Sequence, residues 1–205
     1  MKSRNVLYLG SSSASRRTLL EQAKIPFTVI EQSADETKCD WNLSLPEVVK
    51  NIAQYKMAHS IVPAGKEGDI CFVLTGDTLT VDAQGAIQGK PTGREDAIKK
   101  IKDVRNGWVT TGTAFCLERR EYKDGSWHTQ DQIVTYVKAE YRFEVPDAWI
   151  DTYLDNSVGL KGTAGIGIEA YGGQFLKDIR GSYTAVVGMP LFELRQALEK
   201  LGFYS

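Results

Sequence analysis

The stretch ICFVLTGDTLTVDAQGAIQGKP, residues Ile70 to Pro91, decides how this chain folds. Its first six residues, Ile70 to Thr75, are apolar apart from the last and rich in β-formers. A continuous run of this length, without alternation, predicts a strand buried on both faces. The run is expected to stop at Gly76-Asp77. A carboxylate directly after a glycine there is a poor core residue, and the carboxyl end of a buried strand is where α/β folds place their ligands. Twelve residues after Asp77 the chain reads Gly89-Lys90-Pro91, a lysine between a residue without a side chain and one of fixed φ. Asp77 can hold a divalent cation or take a proton from water, and Lys90 can neutralise phosphate. An N-terminal cap and a solvated lysine explain the same residues, so the rest of the chain has to decide.

Towards the N-terminus, residues 5–10 (NVLYLG) predict a short strand, followed by Ser11-Ser12-Ser13-Ala14-Ser15, then Arg16-Arg17 and the helical run TLLEQA. A small polar loop opening a helix offers free N–H groups and the positive dipole end to an anion. Two arginines in that first turn oppose the dipole unless an anion or acid lies close; a serine cap with solvated arginines is the alternative. Residues 26–31 predict a second strand leading to Ala34-Asp35-Glu36. Those acids are solvated unless a metal site near Asp77 needs a second carboxylate. Residues 45–61 predict a helix with Leu45, Val48, Val49 and Ile52 inward and Pro46-Glu47 in the first turn. Lys56 falls on or beside that buried stripe, so its head either faces a cleft or snorkels to water.

Just before Pro91, Thr78 to Asp82 and Ala86 to Gln88 flank Gln84-Gly85 and predict a small hairpin. Beyond Pro91, a helix is expected over 93–104 with Lys99, Lys100 and Lys102 outward, and a stop at Asn106-Gly107. Strands are expected over 108–117 and 133–143, with a turn at Lys123-Asp124-Gly125 and a helix from Pro146 through Leu154. The segment GLKGTAGIGIEAYGG, residues 159–173, contains the G-x-G-x-x-A spacing at Gly165, Gly167 and Ala170. With no strand before it and no helix pattern after it, this is not a dinucleotide fingerprint; a glycine-rich binding loop around Glu169 is expected instead. FLKDIRGSYTAVVGMP predicts strand and loop, and Pro190 opens an amphipathic helix. The absence of G-x-x-x-x-G-K-[ST] excludes a P-loop.

With 205 residues, the chain is expected to form a single domain of two lobes that can bury a real core. Its formal net charge of -1 argues against duplex nucleic acid as a partner. Three dispersed cysteines and two histidines give no zinc or disulfide pattern and suit a reducing compartment. Val6 to Leu9 is too short for a signal-peptide core and no run approaches a membrane span, so a cytoplasmic protein without a membrane partner is expected.

Taken together, these motifs resemble the Maf family of nucleotide pyrophosphatases, a branch of the Maf/HAM1 fold related to inosine triphosphatases. Residues 9–16 (LGSSSASR) match its opening L-A-S-x-S-P-[R/W]-R. Lys56 falls on its A-x-x-K-A helix, Thr75-Gly76-Asp77-Thr78 on G-[AS]-D-[TQ], Gly89-Lys90-Pro91 with Glu95 and Ala97 on G-K-P and E-x-A, and residues 181–191 on G-x-x-x-x-V-x-G-L-P-L. The resemblance implies an α/β fold, a mixed twisted central sheet flanked by helices, with a cleft between two lobes. It implies hydrolysis of a nucleoside triphosphate, of common or modified base, to monophosphate and pyrophosphate, in the manner of nucleotide-pool cleaning.

A divalent cation, Mg2+ or Mn2+, on Asp77 and Glu36 is implied too, with Asp77 accepting the water's proton or ligating the metal. Arg16, Lys56 and Lys90 are cast on the triphosphate, with Lys56 and Lys90 counted among the catalytic residues and Ser11, Ser13, Ser15, Thr78 and Glu169 among the substrate contacts. A homodimer is a further expectation. The family's link to arrest of septum formation supplies the rival reading, a nucleotide-binding regulator with little catalysis. Three positions separate a thymidine/uridine triphosphate branch (Arg, Thr, Gln) from a 7-methylguanosine triphosphate branch (Trp, Gln, Glu). Here they are Ser15, Thr78 and Glu169, one for each branch and one for neither, which leaves the base open. Ala14 replaces the usual proline and Gly10 the usual alanine.

Overall fold

The computed structural model describes residues 5–105 and 107–205; the expected helix stop at Asn106 lies outside them. The fold is α/β, with seven strands in one open mixed sheet flanked by helices. The strands are β1 (Val6–Leu9), β2 (Thr28–Val29), β3 (Ile70–Val81), β4 (Ile87–Gln88), β5 (Val109–Lys123), β6 (Ser126–Phe143) and β7 (Leu176–Gly181). Their order is β2-β1-β3-β5-β6-β7, with β4 paired to β3. β1 pairs in parallel with both β2 and β3, whereas β3–β4 and β6–β7 are antiparallel. Two compact units divide the chain, and the division falls inside β3, β5 and β6.

The first unit comprises the chain up to Asp77, Ala114–Tyr136 and Gly188–Ser205. It carries α1 (Ala14–Gln22), α2 (Leu45–Ala58) and, close to the C-terminus, the helix Leu191–Lys200. The parallel register Val6↔Cys71 to Leu9↔Leu74 puts two short apolar strands side by side, with Leu7, Leu9, Phe72 and Leu74 almost fully buried. Helix α2 starts where its sequence says it should: the Glu47 carboxylate accepts from the Ser44 backbone N–H at 3.1 Å, half of a capping box. Val48, Val49 and Ile52 then recur at helical spacing on the buried face. The β5–β6 connection is Asp124-Gly125, both at positive φ (50° and 78°), as a two-residue hairpin turn requires.

The second unit, Thr78–Thr113 with Val137–Val187, holds α3 (Arg94–Val104), α4 (Ile150–Asn156) and α5 (Tyr183–Val187). Its core is Ile101, Val104, Tyr141, Phe143, Tyr153 and Phe175 with smaller neighbours. The glycine-dense segment winds through short 3-10 turns rather than a helix. A β-carbon on Gly162 would lie 1.8 Å from the Ile166 carbonyl oxygen, and one on Gly172 would lie 1.7 Å from that of Gly167. Backbone meeting backbone at that distance admits only glycine, which explains the density of glycines without any nucleotide fingerprint.

The structure corrects several sequence expectations. β3 does not break at Gly76-Asp77 but runs through them and takes in most of the hairpin strand expected over Thr78 to Asp82, ending at Val81, where Thr80 and Val81 pair with Gln88 and Ile87 of β4. Lys100 is not simply outward: its amine reaches Asp96 at 3.5 Å and the Gly89 carbonyl at 3.4 Å. The expected strand-and-loop over residues 175–190 contains the short helix α5, begun by Ser182, whose Oγ accepts from Ala185 N at 3.2 Å. The strand expected over 26–31 is only two residues long, and the β5–β6 hairpin is longer than either strand predicted from sequence.

Candidate functional site

Four ionisable side chains converge in the first unit. Lys56, in the last turn of α2 and only 8% exposed, places Nζ 2.8 Å from Asp77 Oδ1 on β3 and 2.8 Å from Glu36 Oε1. Glu36 opens a 3-10 turn capped by Asp35, whose carboxylate accepts from Thr37 N at 3.2 Å. Asp77 is as buried as Lys56, and its second oxygen, Oδ2, is buried with no hydrogen-bond partner. An orphan carboxylate oxygen is costly in an apolar interior. Lys56 brings three donors and spends two on these carboxylates, with no third partner among the described residues.

Arg16 is the fourth group. It lies in the first turn of α1, buried, donating from Nε to the Gly188 carbonyl at 2.9 Å and from Nη1 to Ser11 Oγ at 2.5 Å. Burial pushes its guanidinium down from the ordinary value, while the Asp77 and Glu36 carboxylates push it up. Two acids thus act on this arginine through their charge, as its place in that first turn called for. Ser13 is the N-cap of α1, accepting from Arg16 N at 3.3 Å, and Ser15 is half-buried in the first turn. The close fit extends to Gly76, where a β-carbon would sit 2.9 Å from the Ala114 carbonyl oxygen and 3.5 Å from Arg16 Nε.

Ser11, Arg16, Glu36, Lys56 and Asp77, all singled out from sequence, are thus brought into one cluster. Two neighbours were not singled out. Thr75 reaches from β3 to the Ala53 carbonyl of α2 at 2.7 Å; its signal was visible as the one polar residue in an apolar run. Cys39 is half-buried, and burial, then the charges of Glu36 and Asp77, raise its thiol above the ordinary value. Nothing in its sequence context marked it.

The second unit holds the remaining candidates. Thr78 Oγ1 lies 3.0 Å from Thr113 Oγ1, which in turn donates to the Ala185 carbonyl at 2.6 Å. A hydroxyl has a single proton. Thr113 commits its proton to Ala185, so Thr78 must be the donor to Thr113 and presents only lone pairs elsewhere. Thr163 Oγ1 donates to the Thr78 carbonyl at 3.2 Å, tying the glycine-rich segment to β3. Glu169 occupies the N-cap position of the last 3-10 turn of that segment and, after burial, is what raises the Tyr183 phenol. Lys90 is exposed on the Gly89–Pro91 connection and makes no ion pair among the described residues.

The third strand of the sheet thus delivers a half-satisfied carboxylate to a buried lysine. A family model described as Maf-like protein matches residues 6–201. The chain is 32% identical over 196 residues to a nucleoside triphosphate pyrophosphatase of Chlamydia pneumoniae, covering 95% of this chain and 93% of that one. It is 33% identical over 201 residues to a dTTP/UTP pyrophosphatase of Halalkalibacterium halodurans, with 96% of each chain covered. It is also 32% identical over 201 residues to a dTTP/UTP pyrophosphatase of Thermotoga maritima, covering 97% of this chain and 91% of the other. The chain belongs to the Maf family. No helix among the described residues is long and apolar enough to cross a membrane.

Proposed function

We propose that the protein hydrolyses nucleoside triphosphates to the monophosphate and pyrophosphate, the activity its relatives are named for. The observation that carries this reading is the orphan Asp77 Oδ2, buried on a carboxylate whose other oxygen is held by Lys56. Water attacks the α-phosphorus, the bond from that phosphorus to the α–β bridging oxygen breaks, and the electron pair leaves with pyrophosphate. The water's proton passes to Asp77, whose Oδ1 stays bound to Lys56 while Oδ2 is available. Cationic donors aimed at the departing pyrophosphate stabilise charge that grows in the transition state. Arg16, held by Gly188 and Ser11, keeps its other N–H groups for phosphate oxygens, and Lys90, exposed and unpaired, is a further phosphate partner.

A divalent cation fits these residues in a limited way. Asp77 and Glu36 offer hard oxygen ligands, but among the described residues no three or more His, Cys, Asp or Glu side chains converge on one point. Two carboxylates with the rest of the shell from phosphate oxygens and water is the manner in which Mg2+ is usually held, and Mn2+ takes the same ligands. When bound it would neutralise charge on the triphosphate and polarise a phosphoryl oxygen. Base choice is assigned to Ser15, Thr78 and Glu169, of which Thr78 and Glu169 both offer acceptors.

The test is pyrophosphate release from a panel of triphosphates. Ser15→Arg and Glu169→Gln, singly and together, should shift preference towards thymidine and uridine triphosphates. An unchanged panel in both variants removes these positions from base reading.

A further inference from the structure

The Lys56 ammonium must meet two carboxylates at 2.8 Å from the end of a long, flexible stem. A lysine carries substantial rotamer entropy, so something has to fix where its backbone sits. Two buried or half-buried hydroxyls do so, gripping α2 by its carbonyls. Thr75 Oγ1, fully buried, donates to Ala53 O at 2.7 Å, and Ser60 Oγ donates to Lys56 O at 2.9 Å. Ala53 and Lys56 are three residues apart and so share a helix face. Thr75 and Asp77 are two apart on β3 and so share a strand face. The helix is therefore bonded to one strand face twice, once through Thr75 and once through Asp77 itself.

Gly10 makes the arrangement possible. A β-carbon there would stand 2.6 Å from Ser60 Oγ and 3.1 Å from Thr75 Cγ2, so a larger residue would press on both gripping side chains. This also accounts for glycine where the family's opening motif has alanine.

We infer that Thr75 is a positioning residue for the reaction: with Ser60, its hydroxyl sets the seat of α2 so that Lys56 reaches Glu36 and Asp77 together. The inference rests on the pyrophosphatase reading for its kinetic consequence, but not for its structural one. Thr75→Val keeps the shape and removes the hydroxyl; Thr75→Ser keeps the hydroxyl and removes the methyl. Nitrogen-detected NMR of the lysine ammonium groups, with Lys56→Met to assign the resonance, reads the contact directly, and pyrophosphate release reads its effect.

In the wild type the Lys56 ammonium should be protected from solvent exchange. Thr75→Val should lose that protection and about ten- to a hundredfold in kcat, the scale expected for a misplacement of about an ångström, with KM within about twofold. Thr75→Ser should restore both. A merely structural threonine would lower the melting temperature and leave the ammonium signal and kcat in place, and that result overturns the inference. If Thr75→Val does not fold, Ser60→Ala applies the same two readouts from the other grip. Loss of the signal without any triphosphate turnover in the wild type would uphold the positioning and defeat the activity reading, so the two failures are distinguishable.

Discussion

The two units hold their polar interiors by different means. In the first, buried charges face one another: Arg16, Lys56 and Asp77 are each less than 9% exposed. In the second, the one buried carboxylate among the described residues, Asp82, meets no cation but accepts from Ala86 N and Gln88 Nε2. Neutral hydroxyls do the rest, in the pairs Thr78–Thr113 and Thr80–Thr111, and in Tyr153, which donates to Gly165 O at 3.1 Å and accepts from Gly167 N at 2.7 Å. Buried ions are a poor way to gain stability, since desolvation offsets much of their attraction. Neutral hydrogen bonds that satisfy every proton are a sound one. A fold that needs both has placed the expensive interactions where charge must act, and the orphan Asp77 Oδ2 lies among them.

Removing the centre of the charged cluster should have the largest effect. Lys56→Met leaves Asp77 buried without its partner, and should cost about 3–5 kcal/mol of stability together with at least about a hundredfold in turnover. Urea denaturation and pyrophosphate release measure the two. Retention of both within error would erase the contrast between the units. In the neutral unit, Gly172→Ala forces a β-carbon against the Gly167 carbonyl and should cost about 1–3 kcal/mol or more. The same denaturation experiment checks it, and a silent substitution would mean the segment relaxes freely.

The smallest effect concerns the thiols. Burial pushes Cys71 and Cys116 up to about 12, so neither should react with iodoacetamide in the folded protein near neutral pH. Cys39 is raised less, by burial and then by Glu36 and Asp77, so its thiolate fraction at neutral pH is below that of a free cysteine. Alkylation of Cys39 should therefore be slow, should quicken as pH rises, and should quicken a few-fold at fixed pH in Glu36→Gln, where one of the charges that raises it is gone. An unchanged rate in Glu36→Gln would separate Cys39 from the cluster.

Much of this was legible in the chain. The buried run before Gly76, the Ser-rich loop opening a helix, and Lys56 on an apolar stripe each marked a residue that the fold brings into one cluster. They were legible because each breaks a local rule: a charge on a buried face, or arginines at a positive dipole end. That the strand before Gly76 and the hairpin strand after Asp77 are one unbroken β3 was not legible, since Gly-Asp is ordinary turn chemistry and only pairing with neighbouring strands overrides it. Helix α5 was hidden because five residues are too few for periodicity to register. The proton direction at Thr78 depends on Ala185, a partner 107 residues away along the chain through Thr113, and no local pattern encodes it.

The most direct test of the central claim is pyrophosphate release from common and modified nucleoside triphosphates, with magnesium or manganese, by wild type beside Asp77→Asn. The account predicts turnover of at least one base class with pyrophosphate as product, falling by about a hundred- to ten-thousandfold in the variant. Wild-type rates in Asp77→Asn, orthophosphate as the product, or a panel flat with both metals would contradict it.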